Sequence, residues 1–175
     1  MYPTRRFLLY ACILGLTLLL LSSEQRKAIL CPKISALRQF LWGFGLGLGL
    51  LLLAGAINVL FFHSFSVFFF LTRPAAVIVN FLTFQLLVAV TEELLFRGFL
   101  TELGRQWKLN DLLIALLSAL IFGGLHWLFN RDLIQFVMAS IMGLMFSLFY
   151  MKGKGCSIYS LMIAHFLYDI AILST

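Results

Sequence analysis

The chain has 175 residues, of which 62 % are hydrophobic and only 20 are charged, 13 Lys plus Arg and 7 Asp plus Glu. Charged residues make up 11 % of this chain but about 25 % of a typical soluble domain, so the composition excludes a soluble globular enzyme. It also excludes a disordered chain, which combines low hydrophobicity with high charge. The apolar runs are continuous and lack the alternation of outer-membrane strands. We therefore predict an all-α fold, a polytopic bundle of transmembrane helices.

The net charge of +6 and the three cysteines restrict the function further. The basic residues form no clustered run, so we expect no nucleic-acid partner; a surplus of Lys and Arg is typical of helix ends at a membrane edge. Cys12, Cys31 and Cys156 are widely spaced and form no Cys-x-x-Cys motif. This spacing argues against a disulfide framework and against a structural zinc site.

Residues 1–74 are predicted to form two N-terminal membrane helices joined by a polar loop. The first apolar run covers residues 7–21, after Arg5 and Arg6. A basic start and a short apolar core also fit a signal peptide, but the cleavage site is weak, and we expect a retained helix. The polar loop covers residues 23–38. Residues 39–72 carry no formal charge and accommodate one helix of about 20–24 residues, with a Phe-rich interfacial segment around 63–71.

Residues 75–175 are predicted to form a core of four further membrane helices, which makes about six in all. The spans cover residues 74–97, 112–130, 133–151 and 156–173, between charged positions. A charged loop follows the first span, and tight turns follow the next two. An ionisable side chain inside a membrane helix costs roughly 2.5–3.5 kcal/mol. The few such residues in these spans are therefore candidates for function: Glu92, Glu93, Arg97, His126, His165 and Asp169.

The third span carries Glu92, Glu93 and Arg97 close together. Glu93 and Arg97 are four positions apart, so they share a helix face and can pair. Glu92 lies about 100° away around the helix, and we expect its carboxylate to be free. The alternative is that both acids lie in the headgroup region at the end of the helix.

Two later spans supply histidines. His126 shares a helix face with Phe122, and a pair of glycines leaves space beside it, although a lone helical histidine also fits ordinary packing. His165 and Asp169 share a face as well, as a structural pair or as two groups that bind one ligand. A bundle that buries these groups must bring them together. A carboxylate with a histidine can then activate water for attack on a carbonyl, and a second polar pair can hold the oxyanion.

Three motifs in order are Glu-Glu-x-x-x-Arg at 92–97, Phe-x-x-x-His at 122–126 and His-x-x-x-Asp at 165–169. Their order and spacing resemble those of the CPBP family, which contains CAAX prenyl endopeptidases, bacteriocin-processing and self-immunity proteins, and other bacterial intramembrane proteases. The resemblance covers about residues 75–175. It implies an intramembrane endopeptidase of the glutamic type, a peptide hydrolase.

The resemblance also implies roles for the site residues. Glu92 would be the general base that activates water, and His126 would hold that water. Glu93, ordered by Arg97, would support the site. On the other side, the pair named above, His165 with Asp169, would stabilise the oxyanion. We assign Phe122 to the substrate pocket.

Asp169 departs from the pattern of many relatives, which have Asn at that position. An ionised Asp would repel an oxyanion, so Asp169 is either protonated or orients His165. The family was also once viewed as metalloproteases, and two histidines with several carboxylates could ligate zinc. The chain has no His-Glu-x-x-His motif, and water activation by Glu and His requires no metal. We therefore expect no metal and no cofactor.

Three other functions stay open: a catalytically silent immunity or scaffold protein, a small proton-coupled transporter, and a cysteine peptidase. The intact motifs argue against the first, and the lack of a detectable inverted repeat argues against the second. Cys156 and His165 are about two and a half turns apart on one predicted helix, too far for contact. The expected partners are the bilayer and a membrane-anchored substrate, such as a CAAX-like tail, a bacteriocin leader or a C-terminal sorting signal. The compact size suggests a prokaryotic inner (plasma) membrane.

Overall fold

A computed structural model describes residues 3–62 and 74–172, and within these ranges the chain forms helices and no strand. The Phe-rich interfacial segment predicted around 63–71 lies outside the described residues. The helices are, in chain order, α1 Pro3–Leu20, α2 Ser23–Leu30, α3 Ala36–Phe62, α4 Ala75–Glu93, a π-helical segment Leu94–Leu100, α5 Thr101–Gln106, α6 Asp111–Asn130, α7 Leu133–Lys152 and α8 Ile158–Ile172. The predicted all-α fold is confirmed.

The prediction of about six membrane helices is too high. Within the described ranges, four helical stretches are long and apolar enough to span a bilayer: Ala36–Ile57, Ala75–Gln106, Asp111–Asn130 and Leu133–Lys152. The pair α1 and α2, bent by 115°, makes a fifth span if it is counted as one. The last apolar helix, Ile158–Ala171, falls into the shorter class of 10–17 residues, below the roughly 20 residues that a bilayer core requires.

Two predicted loops are helical instead. The polar loop 23–38 contains α2, which Ser22 caps by accepting from the Gln25 backbone N–H while the Gln25 side chain accepts from the Ser22 N–H. This reciprocal pattern satisfies two backbone donors at the helix start. The prediction of a charged loop after the third span is also partly wrong. The helix continues from α4 through the π-helical segment and α5, so that Ala75–Gln106 is one stretch of 32 residues.

Small residues bring the helices of the bundle into close contact. α3 packs against α8, where a Cβ on Gly43 would lie 2.7 Å from Ile163 Cβ. α6 packs against α7, where a Cβ on Gly123 would collide with the Ser140 hydroxyl. Backbones approach closely at such positions, and this is how membrane helices associate. α1 and α8 both pack on α4, so the polar end of α4 lies between them.

Candidate active site

The two adjacent glutamates lie on the last turn of α4, directly before the π-helical segment Leu94–Leu100. Single π-helical turns inside α-helices occur frequently at functional sites. Glu93 Oε1 accepts a hydrogen bond from Arg97 Nη1 at 3.0 Å, and both side chains are 0 % exposed. The predicted Glu93–Arg97 pair is therefore confirmed. Arg97 itself lies inside the bundle.

Arg97 is held by the protein on several sides. Its Nη2 donates to the backbone carbonyl of Gly143 on α7 at 3.2 Å. The guanidinium carbon lies 5.1 Å from the ring centre of Phe122, 5.3 Å from that of Phe146 and 5.9 Å from that of Phe96. Aromatic rings attract a cation at such distances, and more strongly where water is excluded. The charge of Arg97 is thus fixed beside Glu93.

His165 links α8 to both glutamates. Its Nδ1 hydrogen-bonds to Glu93 Oε1 at 2.7 Å, the same oxygen that Arg97 contacts. Its Nε2 lies 3.7 Å from Glu92 Oε2 and 3.6 Å from Asp169 Oδ2. The shared face of His165 and Asp169 is confirmed. Three carboxyl groups and one histidine from α4 and α8 therefore converge in one buried cluster.

Glu92 differs from Glu93 in its surroundings. Its side chain is 12 % exposed, and its Oε1 accepts a hydrogen bond from the Tyr10 hydroxyl of α1 at 2.9 Å. The expectation that the Glu92 carboxylate is free was wrong, because a residue 82 positions earlier in the chain reaches it. Its second oxygen, Oε2, is buried and has no hydrogen-bond partner among the described residues. Glu93 Oε2 also has none there, but Glu93 is fully enclosed.

Tyr10 is the site residue that sequence reasoning missed. It lies in the first apolar run, which carries no family motif, and its hydroxyl is a polar group inside the apolar helix α1. A polar group in such a helix needs a partner, and that requirement was the one signal in the sequence. Nothing in the local pattern indicates that Glu92 is the partner.

His126 on α6 is half-buried, and its hydrogen bond and ring contact among the described residues are both with Phe122, which packs against the cluster. Its Nδ1 hydrogen-bonds to the Phe122 carbonyl at 2.9 Å. A carbonyl only accepts, so Nδ1 carries the proton, and Nε2 is the acceptor nitrogen of the neutral ring. Within the described part of the chain this is the one hydrogen bond of the His126 side chain. Its ring lies 4.6 Å from that of Phe122, which in turn lies 6.0 Å from the ring of His165.

Phe122 stands between the two histidines and is 1 % exposed. Its ring contacts Phe96 edge-on at 4.9 Å and covers Arg97. Phe122 thus packs the polar cluster against α6, and its assignment to the substrate pocket stays a prediction.

Cysteine and metal chemistry were the other options for this region. Cys156 lies between α7 and α8, where burial raises the pKa of its thiol to about 11; nucleophilic cysteines instead have lowered pKa values. Among the described residues, no group of three or more His, Cys, Asp or Glu side chains has an arrangement that could hold a metal ion. The expectation that the protein uses no metal stays a prediction.

A family model described as "Type II CAAX prenyl endopeptidase Rce1-like" matches residues 74–171, more than half of the chain. This range runs from the start of α4 into α8 and contains all three motifs, whereas α1 to α3 lie outside it. No curated protein and no solved structure matches the chain. The family match agrees with the CPBP resemblance of the motifs and supports intramembrane endopeptidase activity in general, in an integral membrane protein. The chain therefore belongs to the family of type II CAAX prenyl endopeptidase Rce1-like proteins.

Proposed function

We propose that this protein hydrolyses a peptide bond of a membrane-associated protein or peptide, and that Glu92 is the general base. The observation that carries the proposal is the difference between the two adjacent carboxylates. Glu93 is enclosed and bound on one oxygen by Arg97 and His165. Both glutamates keep Oε2 unpaired among the described residues, but Glu92 is partly exposed whereas Glu93 is not. A buried acceptor without a partner is costly, and a water molecule bound there would satisfy it.

The proposed reaction begins with a water that donates one hydrogen bond to Glu92 Oε2. As the water oxygen attacks the scissile carbonyl carbon, its proton moves to Glu92. His126 binds the second hydrogen of the water through Nε2, the acceptor nitrogen left by the bond to the Phe122 carbonyl. Glu92 then returns the proton to the leaving amine nitrogen as the C–N bond breaks. Proton transfer by a positioned group typically accelerates such steps by about 10²–10⁴-fold.

His165 and Asp169 form the oxyanion side in this proposal. His165 Nδ1 is committed to Glu93, so Nε2 is the nitrogen that can face the reacting carbonyl. Stabilisation of a developing oxyanion requires hydrogen-bond donors, so Nε2 must carry a proton when it acts. With all three carboxyl groups ionised, the guanidinium charged and His165 neutral, the cluster carries two net negative charges. Two further protons therefore make it neutral. We place these protons on His165 and Asp169, which resolves the repulsion that an ionised Asp169 would cause.

The substrate and the membrane also belong to the proposal. The family description names CAAX prenyl endopeptidases, which makes a CAAX-like tail one candidate. A bacteriocin leader and a C-terminal sorting signal are the others, since each is a peptide held at a bilayer. The described loops are short, so we propose that the substrate enters between helices. We also propose a prokaryotic plasma membrane as the location and catalysis without a metal.

The test compares Glu92→Gln with the unmodified protein, both expressed in cells that lack it. We expect cleavage products to disappear from the membrane proteome, measured by mass spectrometry of new termini near transmembrane segments. Purified Glu92→Gln should keep its thermal unfolding midpoint in detergent, because the amide oxygen can still accept from Tyr10. Glu102→Gln is the matched control, since that carboxylate pairs with Arg105 at the bundle surface. Full cleavage by Glu92→Gln refutes the proposal, and a transport or immunity phenotype without proteolysis supports the alternatives.

A further inference from the structure

Helix α1 contacts the candidate active site through Tyr10. The Tyr10 hydroxyl donates to Glu92 Oε1 at 2.9 Å. The Tyr10 backbone carbonyl accepts from the buried Thr91 hydroxyl at 3.5 Å. The Tyr10 ring also lies edge-on to Phe84 of α4, with ring centres 5.7 Å apart. The hydroxyl, the backbone carbonyl and the ring of Tyr10 thus all contact α4. The ring contact at Phe84 lies about two turns before the other two contacts, at Thr91 and Glu92.

These contacts restrain the Glu92 carboxylate. The terminal torsion of a glutamate side chain is broad and roughly two-fold, so an unrestrained carboxylate can exchange its two oxygens and tilt away from a substrate. A hydrogen bond to a charged acceptor is stronger than one between neutral groups. With Oε1 held by Tyr10, Oε2 is the oxygen that faces His165 Nε2, at 3.7 Å. Among the residues that the structure describes, Glu92 forms no ion pair with an arginine or lysine, whereas Glu93 pairs with Arg97. Tyr10 supplies the fixed partner instead.

We propose that Tyr10 is a positioning residue, which orients Glu92 so that Oε2 is the oxygen presented to the attacking water. The inference rests on the proposed function of Glu92. It extends the catalytic unit beyond the matched range 74–171, because α1 then supplies a functional group to the site. Tyr10 itself acts only through Glu92 and needs no contact with the substrate.

The test uses Tyr10→Phe, which removes the hydroxyl and keeps the ring against Phe84. Its kcat and KM are measured on a synthetic peptide that spans a cleavage site found in the membrane-proteome comparison. We expect kcat to fall roughly ten-fold or more, the rate equivalent of one lost hydrogen bond to a charged group, with KM unchanged. Tyr159→Phe is the matched control, since its hydroxyl donates to the Leu30 carbonyl at 2.8 Å, outside the site. Both variants should lose similar amounts of thermal stability in detergent, but Tyr159→Phe should keep its kcat.

The outcomes separate this inference from the proposed function. If Glu92→Gln retains full cleavage, the proposed function fails and this inference with it. If Glu92→Gln is inactive but Tyr10→Phe keeps the full kcat, only the role of Tyr10 is overturned. An equal loss of kcat in Tyr10→Phe and Tyr159→Phe also overturns it, since a general structural effect then explains the loss. Should Tyr10→Phe not yield folded protein, Thr91→Val must lower kcat at constant KM, and an unchanged kcat there refutes the inference.

Discussion

The buried pair of Glu93 and Arg97 offers a direct test of how this bundle tolerates charge. Both side chains are fully enclosed, and they meet at 3.0 Å. Replacement of Arg97 by Met fills much of the same volume but removes one positive charge from the buried cluster, which then carries an uncompensated negative charge although His165 still bonds to Glu93. Removal of one partner from a buried ion pair costs about 3–5 kcal/mol, because an uncompensated charge stays behind. We therefore expect Arg97→Met to lower the free energy of unfolding by about 3–5 kcal/mol.

The double variant Glu93→Gln with Arg97→Met should cost less than the sum of the two single variants. Removal of both charges also removes the desolvation penalty, and coupling energies between contacting residues are about 0.5–3 kcal/mol. The exposed pair of Glu102 and Arg105 is the matched control, with a bond of 2.6 Å and side chains 23 % and 47 % exposed. The double-mutant cycle for this pair should give a coupling energy of at most about 1 kcal/mol, as cycles for surface pairs do.

The assay is unfolding of the purified protein in mixed micelles as the fraction of denaturing detergent increases, followed by far-UV circular dichroism. Two results would refute the reasoning. One is a cost below about 1 kcal/mol for Arg97→Met, which would place the pair in a well-hydrated environment. The other is an additive double variant, which would mean that the two side chains do not interact energetically despite their contact.

Two further predictions concern helix packing and metal dependence. A Cβ on Gly123 would collide with the Ser140 hydroxyl and lie 2.8 Å from the Phe136 carbonyl, whereas nothing lies within 4 Å of one on Gly124. Gly123→Ala should therefore lower the free energy of unfolding by about 1–3 kcal/mol, because of overpacking. Gly124→Ala should leave it unchanged or raise it by up to about 1 kcal/mol. A thermal midpoint that is higher for Gly123→Ala than for Gly124→Ala would contradict this. Endopeptidase activity should also persist in excess EDTA, since Glu92 activates the water, and activity lost to EDTA and restored by zinc would contradict the metal-free proposal.

Local spacing predicted the contacts within single helices. Glu93 with Arg97, and His165 with Asp169, are each four positions apart, and the helical repeat alone puts each pair on one face. The structure has both pairs in contact. Helix boundaries were predicted less well. The capping of α2 depends on side-chain-to-backbone hydrogen bonds between Ser22 and Gln25. The continuation of α4 into α5 depends on backbone hydrogen bonds, and hydropathy reports neither.

Contacts between helices could not be predicted in the same way. The bond between His165 and Glu93 joins residues 72 positions apart, and that between Tyr10 and Glu92 joins residues 82 apart. Which helix faces meet depends on close packing, as at Gly43 against α8. Hydropathy is nearly uniform around these apolar helices, so it does not indicate which face turns inward. This is why Glu92 was expected to be free.

By itself, then, the sequence determined the membrane environment and the small set of candidate residues, because a bilayer excludes nearly all charge and makes each exception conspicuous. The tertiary structure alone decided how the two glutamates differ. Arg97 and His165 enclose Glu93, and Tyr10 from a distant helix holds one oxygen of Glu92. The physical reason is that a side chain's partners across a bundle are set by helix packing, whereas its helix face is set by the chain's own repeat.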